Sequence, residues 1–278
     1  MKKITPKSIS GFITKRDDEG YKNLYGKVLI IAGNEMYGGA GILAAQGAVY
    51  SGAGLTTLAS HPVNRSALHA RLPECMFLDW TNHDELVRLL PTFDTVLVGP
   101  GLGLDGEAYR LMEIVLSGVK KEQNLIIDGD GITLYAQEDL PKPRAALFFT
   151  PHAGEWKRLV NCTPDAENNL ECAELLQAVV ILKGHRTKVY AEDEIWLNMY
   201  GSAAMATGGM GDTLAGIIAG LMKQASTPLG GVLSGVFFHS YIGDTLAKKR
   251  FIVLPSDIAK ELPYYLKIFS EMSDTPYP

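Results

Sequence analysis

Ala203-Ala204-Met205-Ala206-Thr207-Gly208-Gly209-Met210-Gly211-Asp212 runs directly into Thr213-Leu214-Ala215-Gly216-Ile217-Ile218-Ala219-Gly220-Leu221. A glycine-rich turn thus opens an apolar, small-residue helix, with an aspartate at its mouth. Glycine lets backbone N–H groups approach a ligand closely, and the first turn of a helix offers unpaired donors and partial positive charge to an anion. A carboxylate beside such a cradle repels phosphate, so its use lies elsewhere, as base for a hydroxyl that attacks a phosphoryl group. The same letters also describe a tight turn and a buried helix with an N-cap-like aspartate. The rest of the chain decides between these readings.

The 278 residues are 46% hydrophobic and 21% charged, a soluble composition able to bury a real core. A net charge of −5 argues against nucleic acid or a basic membrane-surface role. Local backbone donors can still hold a phosphate. Cys75, Cys162 and Cys172 show no metal spacing, and their odd count gives no disulfide framework, so they read as reduced thiols. Met1 to Phe12 contains no apolar signal core, and no apolar run reaches the ~20 residues of a membrane span. The expected location is cytoplasmic.

Short apolar runs alternate with segments of helical length. Strands are expected at 28–32, 55–59, 95–99, 125–128, 146–150 and 179–183, with helices near 40–52, 83–90, 105–118, 152–161 and 168–177. That alternation predicts a three-layer α/β fold: a mostly parallel sheet with helices on both faces. Residues 187–190 and 195–198, joined by Ala191-Glu192-Asp193-Glu194, read as an edge hairpin. Helices at 211–224, 228–248 and 256–270 complete the chain. No linker or repeat divides it, so one domain over 1–278 is expected. Ligands of such sheets sit beyond the carboxyl ends of the strands.

Those ends carry the chemistry. Gly33-Asn34-Glu35-Met36-Tyr37-Gly38-Gly39-Ala40-Gly41 follows the first strand. Its formal G-x-G-x-x-A, Gly39 to Ala44, stands too far from the strand for a dinucleotide fingerprint, and no ribose-binding acid ends the second strand. Gly99-Pro100-Gly101-Leu102-Gly103 leaves another strand, and Asp128-Gly129-Asp130 ends the next. Paired acids there suit magnesium or a polar substrate rim, or alternatively an Asx turn that caps a helix. Thr150-Pro151-His152-Ala153-Gly154-Glu155 offers a histidine that is either a ligand contact or a structural cap. Lys183-Gly184-His185-Arg186-Thr187 places cations where an anion would lie. Five such turns on one edge of a sheet make a site.

Together these motifs resemble the ribokinase-like fold and, within it, the ADP- or ATP-dependent NAD(P)H-hydrate dehydratases. Gly-x-Gly-Asp at 209–212 carries the wider resemblance; Thr-Pro-His-x-Gly-Glu at 150–155 and Ser51-Gly52-Ala53-Gly54-Leu55 carry the narrower one. It covers the chain from about Gly26 to Leu221 or beyond. Two departures stand outside the proposed base: Tyr21-Lys22-Asn23 replaces a common His-Lys-Gly, and Ala203 a common proline. The short segment before Gly26 leaves no room for the epimerase domain that many relatives carry.

The resemblance implies that Ala40, Gly103, His152 and Asp212 contact the hydrated nicotinamide nucleotide, NADH hydrate or NADPH hydrate. Lys183, Gly184, His185, Arg186, Thr187 and Gly211 would hold ADP or ATP, and a homotetramer is implied. In the expected mechanism Asp212 accepts the proton of the C6 hydroxyl as the phosphoryl group arrives. The amides of Gly209, Met210 and Gly211 form the anion hole, and Mg2+ neutralises the remaining charge. Phosphate then replaces hydroxide as the leaving group. A kinase for a small alcohol or vitamin precursor is the alternative on the same fold, and a silent nucleotide-binding module the alternative of another class.

Overall fold

In β2 (Lys27–Ile31), Val28 and Ile30 enter one core while Leu29 and Ile31 enter another. This period-2 alternation with both faces apolar is what a strand needs to be covered on both sides. The computed structural model describes residues 1–137, 139–160 and 166–272, and it repeats the pattern across a ten-stranded sheet. The other strands are β1 (Lys2–Ile4), β3 (Leu55–Ser60), β4 (Met76–Asp79), β5 (Thr95–Val98), β6 (Asn124–Ile127), β7 (Ala146–Phe149), β8 (Ala178–Leu182), β9 (Lys188–Ala191) and β10 (Glu194–Asn198). Their spatial order is β1-β10-β9-β8-β7-β6-β5-β2-β3-β4.

Among the described strands only β9 runs against its neighbours. The expected hairpin is therefore present as β9–β10, and Glu194 pairs with Ala191 so that Glu192 and Asp193 alone make the turn. Beyond it β1 adds in parallel to β10. The sequence reading had neither β1 nor β4; each forms only by pairing with a distant segment. From β2 the chain first builds β3 and β4 on one side, then returns to place β5 on the other. That reversal is a switch point, where a crevice opens beyond the strand ends.

One face of the sheet is covered by α1 (Pro6–Ser10), α2 (Gly38–Tyr50), α3 (Arg65–Arg71), α9 (Met210–Leu221), α10 (Pro228–Ala247) and α11 (Pro255–Met272). The other carries α4 (His83–Leu89), α5 (Gly106–Gly118) and α6 (Asp130–Gln137). Finally α7 (Ala153–Val160) and α8 (Ala166–Leu175) enclose Trp156 against Val180 and Tyr190. The three-layer expectation holds, with helix ends within a few residues of their expected positions. Residue 161 of the expected helix 152–161 and Cys162 lie outside the described residues. Cys75 is buried, which pushes its thiol up to about 12 and leaves it unreactive. Among the described residues no helix is long and apolar enough to cross a membrane.

The contact that positions the site is between α2 and α9. A Cβ at Gly47 would stand 2.5 Å from the Thr213 carbonyl oxygen and 2.8 Å from the Ile217 nitrogen, and one at Gly216 would overlap the Ala44 carbonyl. The helices therefore touch backbone to backbone, and they run in the same direction, because Leu43 lies by Gly209 and Ser51 by Gly220. Their N-termini open at the same edge of the sheet. Gly216→Ala puts a methyl into backbone that cannot rotate away, so it should cost about 3 kcal/mol or more. Thermal unfolding measures this; an unchanged Tm would show that the helices can part without loss.

Candidate active site

Gly209 is the N-cap of α9 at φ +89°, a left-handed conformation that favours glycine. The first helical amides, of Met210, Gly211 and Asp212, have no carbonyl one turn back and point out of the helix end. Asp212 thus occupies the third helical position rather than the cap itself. No hydrogen bond among the described residues ties its carboxylate. Cβ atoms at Gly39, Gly184 and Gly208 would meet nothing within 4 Å, so the backbone at all three faces open space.

Below this turn lies an ion pair. Lys183 follows β8 and turns inward: its Nζ is 2.7 Å from Asp128 Oδ1 and 3.9 Å from Glu155 Oε2, and a Cβ at Gly211 would stand 3.3 Å from it. Asp128 Oδ1 also accepts from Thr150 Oγ1 at 2.7 Å. Burial opposes the ammonium, but Asp128, Glu155 and Asp212 outweigh it and hold Lys183 above the ordinary lysine range. Asp212 moves the other way for a carboxylate. Burial first, then the charge of Asp128, pushes it up to about 6, against a smaller opposing pull from Lys183. A carboxylate poised near neutrality beside a turn of unpaired amides is suited to take a proton from a hydroxyl.

His152 and Glu155 satisfy each other's backbone at the start of α7. His152 Nδ1 accepts from the Gly154 and Glu155 amides at 2.9 and 3.2 Å, while Glu155 Oε2 accepts from the His152 amide at 2.7 Å. This reciprocal arrangement resembles a capping box. The His152 side chain nevertheless remains 57% exposed, so the cap and a ligand contact are compatible.

On one side of the turn, the loops after β2 and β5 are joined across the switch point. The Gly33 amide donates to the Pro100 carbonyl at 2.9 Å and that of Asn34 to Gly101 at 2.7 Å. A Cβ at Gly101 would stand 2.9 Å from that of Ala40, so the first turn of α2 lies against this loop. Asp130 has a different task from Asp128: its Oδ2 accepts from the Gly103 amide at 2.8 Å and fixes that loop. Ala40 thereby lies against Gly101, two residues before Gly103, with the first turn of α9 next to that of α2.

On the other side a cavity of about 400 Å3 extends from Met210 and Gly211. Lys183, Gly184, His185 and Thr187 form one wall, Tyr200 to Ala206 another, and His239 and Ser240 of α10 close it. The cations do not act as a cluster. Lys183 belongs to the acidic centre, His185 is exposed, and Arg186 reaches the Gly201 carbonyl at 3.5 Å. Thr187 is buried and its hydroxyl lies 3.5 Å from the Gly184 carbonyl. A larger cavity of about 700 Å3 sits by Tyr50, Gly52 and Leu221, at the far ends of α2 and α9 and away from this chemistry.

The sequence reading offered the Asp128–Asp130 pair to magnesium, a substrate rim or a helix cap, and gave Thr150 and Glu155 no role in the site although it quoted the motif that holds them. It missed the α10 wall entirely. His239 lies within an unbroken buried run from Gly230 to Ser240, where periodicity marks packing and nothing else.

A family model described as NAD(P)H-hydrate dehydratase matches residues 28–264. A Listeria monocytogenes protein, an ADP-dependent (S)-NAD(P)H-hydrate dehydratase, is 57% identical over 274 residues, 99% of either chain. A ribokinase-like superfamily protein of Enterococcus faecalis superposes with a TM-score of 0.95 at 39% identity, covering 98% of this chain and 97% of that one. The ADP/ATP-dependent NAD(P)H-hydrate dehydratase of Bacillus subtilis, co-crystallized with ATP/Mg2+, gives 0.86 at 28% identity over 96% and 98% of the two chains.

A carboxyl group whose pKa the fold raises is stabilised there in its protonated form. Above about pH 6 the Asp212 charge therefore costs stability, and the cost fades as pH falls toward the ordinary value of 3.8. Asp212→Asn replaces the neutral form permanently. It should stabilise the protein by about 1–3 kcal/mol at pH 8 and by almost nothing at pH 4. Denaturant melts at the two pH values measure the difference; a destabilised variant at pH 8 would contradict the strained carboxylate.

Proposed function

The chain belongs to the NAD(P)H-hydrate dehydratase family, and on that premise we propose that it is the nucleotide-dependent repair lyase of hydrated nicotinamide cofactors. It returns the S forms of NADH hydrate and NADPH hydrate to NADH and NADPH. ADP, or ATP, is converted to AMP, or ADP, and phosphate. The observation that carries this reading is the unpartnered Asp212 carboxylate, raised to about 6, at the mouth of the glycine turn.

Hydroxide leaves the hydrated ring slowly. The nucleotide occupies the cavity along Lys183 to Thr187, with its terminal phosphoryl group at the amides of Gly209, Met210 and Gly211. The hydrate lies between Ala40, Gly103 and His152, with its C6 hydroxyl at Asp212. Asp212 takes the hydroxyl proton as the oxygen bonds to phosphorus and the bond to the nucleotide breaks. The lone pair of the ring nitrogen then expels the new phosphate from C6, leaving an iminium ion, and transfer of a proton from the adjacent C5 to the departing phosphate restores the ring double bond. Lys183 and the amides stabilise the oxygens as charge redistributes; the protein's share is positioning and electrostatics.

Mg2+ belongs to the same proposal. The donors suit a hard cation: Asp128, Asp130 and Glu155 crowd acid around Asp212, and only Lys183 offsets them among the groups that shift its pKa. Among the described residues no three such groups are close enough to hold an ion alone. Asp128 and Glu155 would help to hold it, and when bound it would supply positive charge to the transferring group. A cytoplasmic homotetramer completes the proposal, and light scattering in solution tests the assembly.

Purified protein should restore 340 nm absorbance from NADH hydrate when ADP is added. Asp212→Asn should lower kcat by about 10²–10⁴-fold. Because the base works deprotonated, wild-type kcat should fall as pH drops below about 6. Retention of more than about a tenth of kcat by the variant would remove Asp212 from the base role.

A further inference from the structure

Tyr37 is the N-cap of α2, yet no side-chain hydrogen bond caps the helix there. Small polar residues are preferred at that position, and a large aromatic one brings the helix nothing locally. The backbone that carries it is held on both sides. Asn34 Oδ1 accepts from the Met36 and Tyr37 amides at 3.0 and 2.8 Å, and Asn64 Nδ2 donates to the Gly33 and Asn34 carbonyls at 2.9 and 3.2 Å. Tyr37 is 57% exposed, and among the described residues its side chain has no hydrogen-bond, ring or ion partner.

Its neighbours are the residues proposed for the hydrate. A Cβ at Gly101 would stand 2.7 Å from that of Tyr37 and 2.9 Å from that of Ala40, so only a residue without a side chain lets both approach the loop. A Cβ at Gly103 would lie 2.8 Å from Asn34 Nδ2, which brings the turn before Tyr37 against the same loop. Gly39, two residues after Tyr37, has open space where a Cβ would be. Glycine weakens a helix relative to alanine, and neither packing nor a left-handed φ requires it here. Met36 and Leu104 are exposed as well, so the rim of this part of the crevice is apolar.

In the proposed reaction the ring of the hydrate changes both shape and charge. Its C6 is tetrahedral and the ring neutral until phosphate leaves; N1 and C6 then form a flat, positively charged iminium group. An aromatic face attracts a cation, and it packs better on a flat ring than on a puckered one. A side chain that offers such a face binds the iminium ion, and the transition state that leads to it, more tightly than the hydrate. We propose that the aromatic face of Tyr37 covers the nicotinamide ring and stabilises that ion. This rests on the dehydratase reading of the site.

Oxidised nicotinamide mononucleotide is a stable probe of the contact. Its ring is flat and cationic, and it has no adenosine half to enter the nucleotide cavity. Calorimetry should show it binding the wild type, and Tyr37→Leu should weaken it about fivefold. The same variant should lower the single-turnover rate for NADH hydrate about tenfold, with ADP affinity and Tm unchanged. Tyr37→Phe keeps the face and should hold both quantities within about twofold of wild type. No binding of the probe to wild type would overturn the proposal, as would equal probe affinity and rate in wild type and Tyr37→Leu. A Phe variant as impaired as the Leu variant would overturn it too, and so would a fall in ADP affinity or Tm that accounts for the slower rate. A wild-type protein that turns over no hydrate would remove the dehydratase reading, while the probe titration would still judge the contact between Tyr37 and the ring.

Discussion

The close approach of α2 and α9 is the constraint from which the site follows. Two parallel helices whose backbones touch at Gly47 and Gly216 have no freedom to slide apart, and their N-termini open side by side. Each N-terminus presents unpaired amides and the positive end of a helix dipole. One opens beside Ala40 and the Gly101–Gly103 loop, the other at the Gly208–Gly211 turn. In the proposed mechanism a hydrate held at the first and a phosphoryl group held at the second meet where the helices meet. Small residues in α2 and α9 thus set the distance between the two helix N-termini, which in the proposed mechanism is the distance between two ligands.

The second organising feature is an excess of buried acid. Asp128, Asp130 and Glu155 all raise the pKa of Asp212, and Lys183 lowers it. Asp128 is tied to Thr150 and Lys183, Glu155 to the His152 amide, and Asp130 to the Gly103 amide. Asp212 alone is left without such a partner among the described residues. A carboxylate without hydrogen-bond donors is less stable as an anion, and it is correspondingly better as a base. The stability lost at Asp212 and its reactivity have the same origin, so neither can be tuned separately.

Most of the sheet was legible because burial on both faces writes itself as short apolar runs, as in Val28–Ala32 and Val179–Leu182. The glycine turn was legible because its letters are local. What could not be read depends on distant partners. β1 is three residues that become a strand only against β10, and β4 a short edge strand against β3. Lys183 reads as part of a cationic run, but its side chain turns away from His185 and Arg186 to an acid 55 positions earlier in the sequence. His239 is hidden for the opposite reason. In a helix buried nearly all round, a polar residue that lines a cavity leaves the same pattern as a packing residue.

The position of α10 explains why polar groups such as Ser240 and Asp244 are spread along one helix. The cavity proposed for the nucleotide is bounded by segments with little regular structure of their own, at Gly184 to Thr187 and from Tyr200 to Ala206. Irregular backbone leaves donors and acceptors unpaired, which is useful for binding a polar ligand but leaves geometry undefined. Ser240 and Asp244, which accept from Asn198 Nδ2 and the Gly201 amide, define it from a rigid element that itself packs into the core through Phe237 and Phe238. Met205 follows the same logic, with its thioether packed onto the backbone of α10 at Gly243. The core is therefore continuous with the cavity wall, and the geometry of that wall is inherited from apolar packing one helix away.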